Sequence, residues 1–143
     1  MSSQNVSDSH PDMTIMRRTM VDSQLRPSNV SDPVVVGAMA VTPREAFVPD
    51  AQRSIAYMDR AIPLGSGRVL NPPLSTGLLL DRADIASFDR VLLIGAATGY
   101  CAALLATIVA SVVAVEEDPA LLAHARTALA SAANVTLVEA PLD

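Results

Sequence analysis

The 143-residue sequence predicts an α/β fold in which a parallel sheet carries helices on both faces and follows an N-terminal helical segment. From residue 90 onward, short β-branched runs alternate with helical patterns in the order strand, helix, strand, helix, strand. This alternation is typical of the opening half of a doubly wound parallel sheet. The first two strand candidates are apolar throughout, as strands buried on both faces are. Together the alternation and the apolar strands set the fold class.

The N-terminal part is predicted to be helical. Residues 1–12 are polar and are predicted to form a disordered tail. Methionines at helical spacing predict an amphipathic helix over residues 13–25, which Pro27 ends. Asp32 before Pro33 is typical of a helix N-cap and predicts a second helix there.

The central part carries turn signals. Thr42 and Glu45 have the spacing of a capping box and predict the start of a short helix. Residues 50–73 are rich in Gly and Pro and predict a loop with one short strand at most. The predicted elements after it are a helix over 74–86, strands over 90–94, 111–116 and 134–139, and helices over 99–110 and 119–132. We therefore divide the chain into the tail, an N-terminal segment of 13–73 and half of an α/β domain over 74–143.

Composition excludes several classes of protein. Fifteen acidic against ten basic residues give a net charge of -5, and only 3% of residues are aromatic. Nucleic-acid binders normally need a basic face or stacking aromatics, so we predict no nucleic-acid partner. One cysteine and two histidines exclude a disulfide framework and give no metal site. No secretory signal is seen, and we predict a cytoplasmic protein.

One alternative concerns residues 91–115, which contain no charged side chain. The stretch is long enough to cross a bilayer as a helix. Against this, it contains a glycine turn at 95–99 between two short β-branched runs, which favours strand, turn, helix and strand. We predict no membrane association and keep the span as the minor alternative.

A candidate ligand site lies at that turn. Gly95 and Gly99 stand between a strand and a helix, and Glu116 ends the next strand. A tight turn before a helix exposes backbone N–H groups to a ligand, and a carboxylate at the end of the second strand can accept hydrogen bonds from ribose hydroxyls. The pattern indicates a nucleoside-type ligand, although the spacing is not that of the dinucleotide fingerprint. The plain alternative is a turn glycine and a strand-end charge.

The block VLLIGAATGYCAALLA, residues 91–106, resembles motif I of S-adenosylmethionine-dependent methyltransferases. It is most similar to the protein-L-isoaspartate O-methyltransferase family, whose motif reads roughly VLEIGTGSGYxAAxLA. Three upstream blocks also resemble that family: MVDSQLRP at 20–27, TPREAFVP at 42–49 and AYMDRAIPLG at 56–65. Downstream, VEEDP at 115–119 and NVTLV at 134–138 follow its second and third strands.

The resemblance implies a Rossmann-like methyltransferase fold and methyl transfer from S-adenosylmethionine to the isoaspartyl carboxylate of damaged proteins. It implies that Gly95, Ala97 and Gly99 line the cofactor turn and that Glu116 holds the ribose. It places Asn71 at the position of the family's active-site serine, as the candidate catalytic residue. The alternative is that Asn71 is only a loop residue before Pro72.

Four departures from the family pattern concern activity. Leu93 replaces the acid of motif I, and Ala97 replaces its middle glycine. Asn71 replaces the serine, and Pro141 stands where the family has an aspartate that contacts adenine. These differences favour a second hypothesis, a truncated or diverged relative that binds the cofactor weakly or not at all.

The predicted sheet is incomplete, because the family's sheet needs about four more strands after the third. We expect either a fragment of a longer product or self-association through the open edge of the strand at 91–94, since an unpaired apolar edge invites pairing with another chain.

Overall fold

The computed structural model describes residues 12–143 and has a Rossmann-like α/β architecture. Helical turns come first, then an antiparallel hairpin, then a three-stranded parallel sheet with its crossover helices. The helices are α1 (Met13–Met20), α2 (Pro33–Val41), α3 (Pro73–Arg82), α4 (Tyr100–Ala106) and α5 (Pro119–Ala128). The strands are β1 (Ile62–Gly65), β2 (Arg68–Leu70), β3 (Arg90–Ile94), β4 (Ser111–Glu116) and β5 (Val135–Glu139). The predicted tail lies outside the described residues, except for Asp12.

The first predicted helix is confirmed, with a change of winding. Asp12 caps α1 by accepting a hydrogen bond from the Thr14 N–H at 2.9 Å. The chain then continues through a π-helical turn at Val21–Leu25 and a 3-10 turn at Arg26–Ser28. The wider turn lies next to Pro27, which cannot donate a hydrogen bond to continue an α-helix.

The second predicted helix is also confirmed, but the prediction of a capping box at Thr42 and Glu45 is wrong. Asp32 accepts from the Val34 N–H at 2.9 Å, as a cap before a proline does. Thr42, however, donates its hydroxyl back to the Ala38 carbonyl at 2.8 Å. The Glu45 carboxylate instead accepts the Tyr57 hydroxyl, so neither half of the box forms. Arg44–Phe47 is a 3-10 turn without a side-chain cap.

Residues 50–73 are more ordered than a loop with one short strand. Asp50–Ile55 forms a 3-10 helix, and β1 pairs antiparallel with β2. Three consecutive residues, Gly65 at the end of β1 and then Ser66 and Gly67 between the strands, all have positive φ. These glycines allow the tight hairpin turn, so they mark a strand pair and not a loop. The following helix ends at Arg82, four residues earlier than predicted.

The parallel sheet has the predicted strands in the order β3-β4-β5. Both crossover helices are shorter than predicted and end at Ala106 and Ala128. The buried face of β4 carries Val112, Ala114 and Glu116, and α4 and α5 pack on it.

Helices cover one face of the sheet within the described part of the chain. The other face leaves apolar side chains at least one-third exposed, namely Leu92, Ile94, Val113 and Val138. The charge-free stretch at 91–115 divides into β3, α4 and β4. No helix among residues 12–143 is both long enough and apolar enough to cross a membrane.

The core joins the N-terminal segment to the sheet. Phe47 packs edge-on against Tyr100, with ring centroids 5.6 Å apart. Beside them, the Thr98 hydroxyl donates to the Phe47 carbonyl at 2.6 Å. These contacts hold the turn after β3 against the N-terminal segment.

Candidate functional site

The turn after β3 is built by its own backbone. The N–H groups of Gly95 and Ala96 both donate to the Val115 carbonyl at 2.9 Å, which ties the turn to β4. Three of its residues have left-handed conformations: Gly95 with φ of 82°, Ala97 with 51° and Gly99 with 101°. A Cβ on Gly99 would lie 2.8 Å from Cδ1 of Leu129, so a side chain there would collide with the residue that follows α5.

The Glu116 carboxylate lies directly behind this turn and is 0% exposed. Its Oε1 accepts from the Ala97 N–H at 2.7 Å, and its Oε2 accepts from the N–H groups of Glu117 and Asp118, each at 2.8 Å. Burial opposes its ionisation, but hydrogen bonds from Arg68, Asp118 and Ala97 outweigh burial and lower the pKa of the carboxyl. The structure therefore brings two residues of the predicted site, Ala97 and Glu116, into contact.

A residue that the sequence reasoning missed completes this cluster. Arg68, from β2, makes two parallel hydrogen bonds to Glu116, from Nη1 to Oε2 at 2.9 Å and from Nη2 to Oε1 at 2.7 Å. Its Nη2 also lies 3.7 Å from the point where a Cβ on Gly95 would be. Arg68 shares the inward side of its short strand with Leu70, so a hairpin assignment would have pointed to it.

Asn71 lies on a cleft next to the turn. This cleft, of about 220 Å³, lies between the end of β2 with α3 and the end of β3 with the turn. Its lining includes Asn71, Leu93, Gly95, Ala97 and Tyr100, whereas Gly99 and Glu116 lie outside it. Four residues that the sequence analysis singled out, Asn71, Leu93, Gly95 and Ala97, therefore line the same cleft.

Arg44 holds the backbone of Asn71, between β2 and α3, through a partly buried hydrogen bond. The guanidinium is 0% exposed, donates from Nη2 to the Asn71 carbonyl at 2.7 Å and from Nε to the Ala56 carbonyl at 2.5 Å. Its Cζ lies 4.9 Å from the centroid of the Tyr100 ring. The Tyr57 hydroxyl accepts from the Arg44 N–H at 3.0 Å and from Arg17 Nε at 2.9 Å, which ties α1 to the same network.

The two remaining departures also lie near the turn. Leu93 is half-buried on the cleft wall, so it brings an apolar side chain where the family has a carboxylate. After β5, the Ala140 N–H donates to the Glu116 carbonyl at 3.2 Å, and Leu142 next to Pro141 reaches Gly95, with its Cδ1 3.9 Å from the glycine's Cβ position. The C-terminal residues thus cover one side of the turn.

Cys101 lines the cleft but is not activated. Burial raises the pKa of its thiol to about 11, so the thiol is protonated at neutral pH. No group of three or more His, Cys, Asp or Glu side chains in residues 12–143 could hold a metal ion.

A second, larger groove of about 470 Å³ runs between residues 41–47 and the ends of α4 and α5. Apolar side chains, three hydroxyl side chains and the amide of Asn134 line it, and none of these side chains is titratable.

Comparison with known proteins gives one family. A family model for Protein-L-isoaspartate(D-aspartate) O-methyltransferase (PCMT) matches residues 16–140. A protein-L-isoaspartate O-methyltransferase of Roseiflexus castenholzii is 45% identical over 118 residues, which are 82% of this chain and 54% of that protein. One of Methanoculleus marisnigri is 42% identical over 123 residues, 86% of this chain and 56% of that protein. The chain thus spans about half the length of the curated relatives it matches.

Solved structures agree with this result. A protein-L-isoaspartate O-methyltransferase superposes with a TM-score of 0.74 and 25% identity, over 86% of this chain and 41% of that one. A Plasmodium falciparum protein, described as a protein-L-isoaspartate O-methyltransferase in complex with S-adenosyl-L-homocysteine, shares the fold with a TM-score of 0.75 at 16% identity. It is matched over 87% of this chain and 62% of that one. Since the family model matches almost the whole described chain, this protein belongs to the protein-L-isoaspartate O-methyltransferase family.

Proposed function

We propose that this protein contributes to methyl transfer from S-adenosylmethionine to the carboxylate of isoaspartyl residues in damaged proteins. The observation that carries the proposal is the juxtaposition of a left-handed glycine turn, a buried strand-end carboxylate 2.7 Å from the Ala97 N–H, and Asn71 on the adjoining cleft. Membership of the family supports the proposed reaction, and this geometry supports the residues proposed for it.

The backbone at Gly95 can accommodate such a cofactor, whereas the Glu116 carboxylate is already occupied by hydrogen bonds. Gly95 has φ of 82°, and of the side chains that the structure describes, those of Arg68 and Leu142 reach within 4 Å of its Cβ position. A ligand can approach its backbone once these two side chains move. The Glu116 carboxylate, in contrast, already accepts hydrogen bonds on both oxygens. We propose that Gly95, Ala97 and Gly99 form the turn that faces the cofactor and that Glu116 holds its ribose.

The chain's own residues need to do little acid–base chemistry. S-adenosylmethionine would supply an electrophilic methyl group, and an isoaspartyl carboxylate is already ionised at neutral pH. The work of the protein is then to align the carboxylate and to exclude water. Asn71 can donate its side-chain amide to the carboxylate. Arg44 holds the Asn71 backbone, and Leu93 and Leu70 give the cleft apolar walls.

A second candidate function is favoured by two observations. The cofactor-facing wall has an apolar Leu93, and Glu116 is paired to Arg68 through two hydrogen bonds. A relative with these features would keep the fold and bind the cofactor weakly or not at all. Leu93 cannot make the charged hydrogen bond that an acid at this position would make to the cofactor. The absence of one such bond costs about 1.5–3 kcal/mol, which lowers the affinity for the cofactor roughly ten- to a hundredfold.

For the remaining properties, we propose that the partner is a protein or peptide that carries isoaspartate, and that the protein acts in the cytoplasm. We also propose a division of the chain and a mode of self-association. The chain is divided at residue 73 into an N-terminal segment and half of the cofactor domain, and copies can associate through the 91–94 edge. The position of β3 at one edge of the described three-stranded sheet supports the second of these.

The test measures binding first and transfer second. S-adenosylmethionine and S-adenosylhomocysteine are titrated calorimetrically into the folded chain, and labelled methyl transfer is then followed to an isoaspartyl peptide and to the same peptide with ordinary aspartate. Transfer to the isoaspartyl peptide alone supports the enzyme. Binding without transfer, or no binding by a folded chain, supports the second candidate.

Asn71 gives a matched pair of variants for the same assay. Asn71→Ala removes the donor and should lower transfer without lowering cofactor affinity. Asn71→Ser restores a hydroxyl donor and should keep or raise transfer. Equal rates for both variants and for the parent chain would remove Asn71 from the proposed site.

A further inference from the structure

The Glu116 carboxylate has no acceptor position left for a ligand. A carboxylate offers about four lone-pair positions, and this one receives five hydrogen bonds, two from Arg68 and one each from the N–H groups of Ala97, Glu117 and Asp118. With the side chain 0% exposed, a ribose diol cannot reach it while all five bonds remain.

Arg68 is the donor that can leave. The three N–H donors belong to the turn and to the start of α5, whose backbone is fixed by further hydrogen bonds. The Arg68 guanidinium stands at the end of a flexible side chain that is 28% exposed, on a three-residue strand beside the hairpin turn. Swinging outward brings the guanidinium into water, where it stays fully hydrated.

Arg68 also lies on the approach to the turn. Its Nη2 lies 3.7 Å from the Cβ position of Gly95, so the guanidinium stands beside the first glycine of the turn. The same side chain therefore covers the carboxylate and narrows the space over the turn.

We propose that Arg68 is a latch on the cofactor site: its guanidinium holds Glu116 in the ligand-free chain and is displaced when the ribose of an adenosine-type cofactor binds. The inference rests on the cofactor site proposed above. In the latched state, two hydroxyl-to-carboxylate hydrogen bonds form only after two guanidinium-to-carboxylate hydrogen bonds break. The apparent affinity is reduced by the fraction of chains that are open.

Two opposite effects follow from one substitution. Removing the guanidinium should destabilise the ligand-free fold, because the ion pair is lost. It should also strengthen cofactor binding, because the competitor is gone. A residue that only supports the fold would weaken both properties, and a residue that holds the cofactor would weaken binding.

The experiment compares Arg68→Met, which keeps the length of the side chain, with Arg26→Met as the matched control. Among the described residues, the Arg26 side chain makes one exposed ion pair, with Asp22 in the π-helical turn after α1, at 3.7 Å. Calorimetric titration with S-adenosylhomocysteine measures affinity, and thermal unfolding of the ligand-free chain measures stability. We expect Arg68→Met to bind about tenfold more tightly, which is ~1.4 kcal/mol, with a lower Tm, and Arg26→Met to change neither property.

The outcomes separate the latch from the proposed function. If Arg68→Met binds with the affinity of the parent chain or more weakly, the cofactor site stands and the latch is refuted. If neither the parent nor Arg68→Met binds at millimolar ligand, the cofactor site itself fails, and the latch with it. If Arg68→Met does not fold, Arg68→Lys replaces it, because a lysine cannot make the two parallel bonds. Its affinity should rise above that of the parent chain, and unchanged or weaker binding refutes the latch.

Discussion

Replacing Glu116 by glutamine should destabilise the fold, because its carboxylate accepts five hydrogen bonds. The substitution keeps the shape of the side chain but turns one carboxylate oxygen into an amide NH₂. Placed at Oε1, that NH₂ faces two donors, the Ala97 N–H at 2.7 Å and Arg68 Nη2 at 2.7 Å. Both donors lose their acceptor, and the guanidinium loses its counter-charge.

The size of the effect follows from burial. Stranding one partner of a fully buried ion pair costs about 3–5 kcal/mol. Arg68 is 28% exposed and can turn toward water, so the lower end applies, and we expect a loss of about 3 kcal/mol. For a chain of this size, such a loss lowers Tm by roughly 10 °C.

The assay is urea and thermal unfolding followed by circular dichroism, with Glu117→Gln as the matched control. Glu117 is exposed, and within residues 12–143 its carboxylate accepts a single long hydrogen bond, from the Leu142 N–H at 3.4 Å. Its replacement should therefore leave stability within about 0.5 kcal/mol. If Glu116→Gln is no less stable than Glu117→Gln, the assigned hydrogen bonds are not stabilising the fold and the reasoning is refuted.

The stability difference between the parent chain and Glu116→Gln should depend on pH, and the direction of this dependence follows from the pKa of Glu116. The pKa of Glu116 in the fold lies below its ordinary value of 4.5, so the folded chain binds this proton more weakly than the unfolded chain does. The stabilisation from the charged carboxylate is therefore complete above about pH 4.5 and is lost as pH falls through the lowered pKa. The stability difference between the parent chain and Glu116→Gln should shrink in that acidic window, and a difference that grows there would contradict the assignment.

Three further predictions concern the turn and the cleft. Gly99→Ala should lose about 2 kcal/mol in urea unfolding, because its Cβ would lie 2.8 Å from Leu129 and φ is 101°; stability equal to the parent chain would contradict the packing. Ala97→Gly should gain up to about 1 kcal/mol in the same measurement, since φ of 51° strains an alanine, and a loss would show that the strain is absent. At pH 8, iodoacetamide should alkylate Cys101 about a hundredfold more slowly than a free cysteine, because its thiol has a pKa of about 11; mass spectrometry of the folded chain follows the rate, and alkylation as fast as free cysteine would show an activated thiol.

The sequence predicts those elements best whose signal is local. Asp32 and Asp118 both act as N-caps before a proline, as read from the residue order, and each accepts a backbone N–H at 2.9 Å. The three parallel strands lie where short apolar or β-branched runs stand, because such runs bounded by turn residues are typical of strands in a parallel sheet. The outward face of this sheet is nevertheless exposed among the described residues, which the run alone does not indicate.

The sequence predicts less where tertiary contacts compete with local pattern. The Thr42–Glu45 capping box is absent because Glu45 has a better partner, the Tyr57 hydroxyl, that is remote in sequence. The hairpin was missed because Gly65 and Gly67 mark a turn without indicating that strands flank it. Arg68 could not be assigned to Glu116 without that hairpin, since 48 residues separate the two.

That separation has a consequence for how the chain folds. The contacts that assemble the site join residues far apart in sequence: Arg68 with Glu116 over 48 residues, and Phe47 with Thr98 over 51. Closing loops of this length costs entropy before the contacts repay it, whereas the helices can form from neighbours alone. During synthesis, Arg68 is added to the chain 48 residues before its carboxylate partner. We therefore expect the site to be among the last parts of the chain to become ordered, so that any ligand it binds reports on completion of the fold as a whole.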